Sequence, residues 1–111
     1  MSYGLIIIIQ ETGELYLDDT INANNNEKSF LFLLAAYFSY KSGLRESPEM
    51  SMSELVSKMA TPDTTLSAPL GKLVEERLAV KTNRGYYSIN FDNYKRIKEM
   101  LLKIKEKNVK T

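Results

Sequence analysis

The order of apolar and polar positions divides the chain into elements before any other property is considered. Leu5-Ile6-Ile7-Ile8-Ile9 is an unbroken, largely β-branched run; its lack of alternation predicts a strand covered on both faces. Glu11-Thr12-Gly13 supplies a turn, and Glu14 to Leu17 returns with Leu15 and Leu17 on one face, so residues 3–19 read as a β-hairpin. A bare strand of this kind pairs with other chains, so it is expected to pack on the next helix or to pair with another chain. Asn22 to Asn26 reads as a polar linker, followed by a helix from Glu27 to Ser42 that Gly43 closes. From Phe30 to Phe38 that helix is apolar all the way round, which predicts burial on every face. Either the N-terminal hairpin or a second subunit would supply the cover.

The pattern then changes to shorter elements. Leu44 to Met50 reads as a loop, and Ser51-Met52-Ser53-Glu54 fits a capping box opening a helix that runs through Met59. A turn at Ala60-Thr61 leads to a helix beginning at Pro62 or Thr64 and ending at Arg77, with Leu66, Leu70, Leu73 and Val74 inward. Pro69 within it predicts a kink or a late start, and Gly71 weakens the same segment. Leu78 to Thr82 and Tyr86 to Asn90 form a second hairpin around Asn83-Arg84-Gly85. Asn90 or Asp92 is placed to cap a last helix from about Phe91 to Lys107, whose Tyr94, Ile97, Leu101 and Ile104 are spaced three, four, three. That spacing is an a/d stripe over two heptads. The stripe, with Phe30, Leu34 and Tyr37 of the first long helix, outlines the seam of an expected homodimer; packing within one domain is the other reading.

Residues 54–78 carry the most specific signal. Glu54-Leu55-Val56, Thr65-Leu66-Ser67, Leu70, Leu73 and Leu78 fall in register without a gap, and Lys81 to Tyr87 follow at the distance of a wing. Over residues 28–107 the chain resembles the winged-helix transcription regulators of archaea and bacteria. The resemblance implies an α+β fold: a winged helix-turn-helix with an additional N-terminal β-hairpin and a C-terminal helix. It also implies a single domain over 1–111, with hairpin and linker in 1–26, the winged helix-turn-helix and last helix in 27–107, and a tail in 108–111. The implied function is binding of double-stranded DNA, as a transcriptional regulator or a small chromatin or plasmid-maintenance factor. Helix 62–77 would enter the major groove, with Thr64, Thr65, Ser67 and Lys72 outward, and the wing would bring Lys81, Asn83 and Arg84 to the backbone. Ala68 and Pro69 stand where base-reading side chains are common in that family, and Arg77 stands where a Gly usually precedes the final Leu. The alternative is a winged helix used as a protein-interaction module in a larger assembly, a choice that fold alone does not make. The N-terminal hairpin is its candidate contact.

Charge and composition narrow the function further. Residues 1–30 carry Glu11, Glu14, Asp18, Asp19 and Glu27 against Lys28, a net −4, while residues 91–111 carry seven bases against Asp92, Glu99 and Glu106, a net +4. The basic end suits a phosphate backbone or is the wet face of an amphipathic helix. Segment 61–77 is net −1, with Lys72 and Arg77 against Asp63, Glu75 and Glu76, so any sequence preference is expected to be weak. The chain has no Cys and no His, which removes disulfides, thiolate metal sites and the commonest general base. No enzyme, metal or cofactor is expected. An apolar fraction of 43% with 26% charged residues, and no apolar run of bilayer length, predict a cytoplasmic, nucleoid-associated protein without a membrane contact.

Overall fold

The computed structural model describes residues 7–9, 15–17, 21–82 and 85–108. The turn expected at Glu11-Thr12-Gly13 and the wing residues Asn83 and Arg84 lie outside the described residues. Strands β1 (Ile7–Ile9) and β2 (Leu15–Leu17) pair antiparallel, with Ile8 opposite Tyr16. Helix α1 spans Asn25–Lys41. It starts two residues earlier than the polar run suggested, because Asn24 is the N-cap. The Asn24 side chain accepts from the Glu27 backbone N–H at 2.8 Å, and Glu27 accepts from the Asn24 N–H at 3.0 Å, a complete capping box. At the other end Gly43, with φ +80°, permits the Leu44 N–H to reach the Ser39 carbonyl and the Gly43 N–H that of Tyr40.

Every side chain from Phe30 through Ala36 is buried in a single chain. Helix α1 lies against α2 (Met52–Met59), α3 (Asp63–Glu75) and strand β5 (Tyr86–Ile89), and also against β1 and β2. Strands β1 and β2 thus lie over α1 together with α2, α3 and β5, and the all-round apolar pattern is covered within one chain.

Three short strands form the second sheet, in the order β3-β5-β4, with β3 at Met50–Ser51 and β4 at Ala79–Lys81. Met50 pairs with Tyr87, and Ala79 with Ile89. Strand β3 corrects the end of the expected loop over 44–50: Met50 is a fully buried strand residue, and two residues are too few to give an alternation. Ser51 caps α2 by accepting from the Glu54 N–H at 3.0 Å. The reciprocal half of the expected box is not made, because Glu54 turns to Arg45, with Nη1–Oε2 at 2.9 Å and Nη2–Oε1 at 3.2 Å. Helix α3 starts at Asp63 and continues through Pro69 rather than starting late. The last helix is preceded by a 3-10 turn, Phe91–Asn93, and α4 itself spans Tyr94–Asn108. Asn90 does not cap it through its side chain; its amide donates to the Arg77 carbonyl at 2.9 Å instead. Among the described residues the fold is thus α+β, with four α-helices and a small three-stranded antiparallel sheet.

Candidate functional site

The two faces of α3 differ completely. Leu66, Leu70 and Leu73 are fully buried, and with Leu55 of α2 they join α1 in the core. On the opposite side Thr64, Ala68, Gly71 and Glu75 fall at i, i+4, i+7 and i+11 and are exposed. Thr65 and Lys72 flank this line on one edge and Ser67 on the other, all exposed. The sequence placed Thr64, Thr65, Ser67 and Lys72 outward, and they share one surface. Ala68 and Gly71 make the middle of the line small, while Glu75 places a carboxylate at its C-terminal end.

Tertiary contacts hold α3 at both ends. The short α2–α3 turn depends on Ala60 at φ +51°, which lets the Thr61 N–H reach the Val56 carbonyl at 3.3 Å. In mid-helix the Asn26 amide donates to the Pro69 carbonyl at 3.0 Å. At the C-terminal end Arg77 takes φ +61°, and the Leu78 N–H bonds to the Leu73 carbonyl at 2.9 Å. The Arg77 carbonyl then accepts from both Asn90 and Asn93, at 2.9 and 3.1 Å. These bonds join the end of α3 to Asn90 and to the 3-10 turn that leads into α4.

On the β4–β5 hairpin Lys81 is exposed, with Nζ 5.7 Å from the centroid of the Tyr87 ring. Thr82 closes the strand end, its N–H donating to the Tyr86 carbonyl at 2.8 Å. Tyr87 is buried, whereas Tyr86 is 41% exposed. Lys72 and Lys81 are therefore the described members of the expected basic contact set, with Asp63 and Glu75 exposed on α3 beside them.

The expected dimer residues are divided by the structure. Phe30, Leu34, Ile97 and Ile104 are buried within one chain, where α1 and α4 pack them into its core. Tyr37 and Leu101 are half-buried, and Tyr94 is 53% exposed.

Two groupings went unread in the sequence. Glu27, 1% exposed, meets Lys107 at 2.6 Å across eighty positions of the chain. Tyr37, Phe38, Phe91 and Tyr94 form an aromatic cluster, with Tyr37 stacked on Phe91 at 4.5 Å and Tyr94 5.7 Å from Phe91. Both join α1 to the C-terminal region, and no local spacing announces such contacts.

Among the described residues no group of three or more acidic side chains is placed to hold a metal ion, and no helix is long and apolar enough to cross a membrane. No family model matches the chain, and neither the curated proteins nor the solved structures include a significant match.

Proposed function

We propose that this chain is a winged helix-turn-helix protein that binds duplex DNA, with α3 in the major groove and the β4–β5 hairpin against the neighbouring backbone. The observation that carries the reading is the outward face of α3. Thr64, Thr65, Ser67 and Lys72 gather around Ala68 and Gly71, while Leu66, Leu70 and Leu73 fix the helix to the core. The succession α1, β3, α2, α3, β4, β5, α4 is also the order that a winged helix-turn-helix requires. Hydroxyls and an ammonium suit phosphate oxygens and base edges. The carboxylates of Asp63 and Glu75 on the same helix oppose tight binding, so the reading is of modest affinity with weak sequence preference. A transcriptional regulator or a small chromatin or plasmid-maintenance factor acting at the nucleoid fits that chemistry.

A salt-titrated anisotropy assay on random-sequence duplex DNA tests the proposal. The logarithm of affinity should fall linearly with the logarithm of salt, by about 0.9 per phosphate contact. Lys72→Ala and Lys81→Ala should each lower that slope by about 1. Thr65→Glu, at an exposed position, should abolish binding with the melting transition unchanged. Absence of binding at low salt, or a folded Thr65→Glu protein that binds as the wild type does, overturns the reading.

A further inference from the structure

The outward face of α3 is limited in what it can offer a base. The helix carries no Arg, Asn or Gln, so the guanidinium and amide side chains that read purines through paired hydrogen bonds are missing from it. What its N-terminal half does present is methyl groups. Thr64 and Thr65 stand four and three positions before Ala68, which sets each of them about 5–6 Å from it, Cβ to Cβ, and all three are exposed. Leu66, Leu70 and Leu73 bind the opposite side of the helix to the core, so this patch is the side turned outward. The charged groups stand apart from it. Lys72 is a full turn beyond Ala68, and Glu75 closes the C-terminal end. Asp63, five positions before Ala68, lies about 140° away from it round the helix.

We infer that Thr64, Thr65 and Ala68 read thymine, by packing against the C5-methyl groups of adjacent A·T pairs in the major groove. The inference rests on the duplex-DNA reading above and adds the class of base to it. A recognition helix meets base edges through its N-terminal residues, and the C5-methyl of thymine is the one apolar group that the groove displays, the partner that Thr and Ala side chains fit. The rise from Thr64 to Ala68 is about 6 Å, against about 3.4 Å per base along a strand, so the patch spans neighbouring thymines rather than one. Cytosine lacks the methyl and leaves the patch without an apolar partner. Methyl packing without paired hydrogen bonds discriminates by only a few-fold per base, which matches a weak sequence preference.

The test is an anisotropy titration of the full-length protein, at one low salt concentration, against four duplexes of equal length. Two are alternating A·T, one with thymine and one with uracil in its place; two are alternating G·C, one with cytosine and one with 5-methylcytosine. Removing the methyl from thymine should weaken binding by about three- to tenfold, and adding it to cytosine should strengthen binding similarly, since one buried methyl-sized group is worth about fourfold. The salt dependence should be the same for all four, because the phosphates are unchanged. Thr64→Ser/Thr65→Ser, which removes two methyls and keeps both hydroxyls, should shrink the thymine-to-uracil ratio to under about twofold; Thr64→Val/Thr65→Val, which keeps the methyls, should retain it. The duplex comparisons need no variant, so they decide the matter even if a variant fails to fold. Equal affinity for the thymine and uracil duplexes overturns the inference and leaves the duplex-binding reading standing. So does an A·T preference that persists in uracil, which groove shape would explain, or a preference for unmethylated G·C, which would give the reading to Lys72 or Glu75. Absence of binding to all four overturns both.

Discussion

Three helices of this chain end on a residue with positive φ, and only one of those residues is a glycine. Gly43, Ala60 and Arg77 adopt φ of 80°, 51° and 61°. At Arg77 the conformation opens the α3 carbonyls to the N–H groups of Arg77 and Leu78 and aims its own carbonyl at Asn90 and Asn93. An L-residue there bears a steric cost of about 1–2 kcal/mol that glycine avoids, offset in part by the greater freedom of an unfolded glycine. Arg77→Gly is therefore expected to stabilise the fold by about 0.5–1 kcal/mol, read as a higher urea midpoint at unchanged slope. A lower midpoint would mean that the arginine side chain contributes more than its backbone costs.

At the scale of elements, α3 combines weak intrinsic propensity with strong tertiary anchorage. Pro69 gives no N–H to the Thr65 carbonyl, and Gly71 adds backbone freedom, yet the helix runs unbroken from Asp63 to Glu75. What holds it is burial of Leu66, Leu70 and Leu73 and the Asn26–Pro69 bond. A Cβ on Gly71 would meet nothing within 4 Å, so Gly71→Ala should stabilise by about 0.5–1 kcal/mol. Pro69→Ala should add about 1–3 kcal/mol, since the Asn26 bond uses a carbonyl that the substitution keeps. Thermal melts of both variants check this; unchanged transitions would show that the segment is not one continuous helix.

The whole molecule is tied from end to end by Glu27 and Lys107, and by Asn108, whose side chain both accepts from the Asn22 N–H at 2.7 Å and donates to the Asn22 carbonyl at 3.1 Å. Burial raises the pKa of Glu27. The hydrogen bonds from Lys107 and the Asn24 N–H, with the charges of Lys107 and Lys103, outweigh that and hold the carboxyl below its ordinary 4.5. A depressed folded-state pKa contributes stability above the unfolded value and loses it as pH falls through the folded one. Glu27→Gln, which can still accept at the cap, should cost about 1–3 kcal/mol at pH 7, and the gap should close in acid below about pH 4.5. A gap independent of pH would show that the charge contributes nothing. The core test is simpler. Ile104 is fully buried and Leu102 is 57% exposed, so Ile104→Ala should cost about 2–4 kcal/mol and Leu102→Ala under about 0.5 kcal/mol. Were α4 instead a dimer seam, Ile104→Ala would make stability depend on protein concentration, which sedimentation and melting at two concentrations would reveal.

Periodicity determined α2, α3, α4, the second hairpin and the inward leucines of α3, because an amphipathic stripe is written at fixed local spacing; α1, apolar all round, was bounded by its polar flank and Gly43 instead. The sequence also showed Gly43 as a helix end and Ser51 as a cap, since both act within a few residues of themselves. It did not show that Ala60 and Arg77 would take left-handed conformations, because neither residue type prefers them; tertiary anchoring imposes the strain. Strand β3 was invisible because two residues have no period. The all-round apolar pattern of α1 required cover without naming it, and the fold placed β1, β2, α3 and β5 there. The stripe of α4 read equally well as a seam between chains or a seam within one, because spacing defines a face and not the surface that meets it. Only the folded chain, bringing residue 27 to residue 107 and Tyr37 to Phe91, decided which apolar side chains are spent on the core and which remain at the surface.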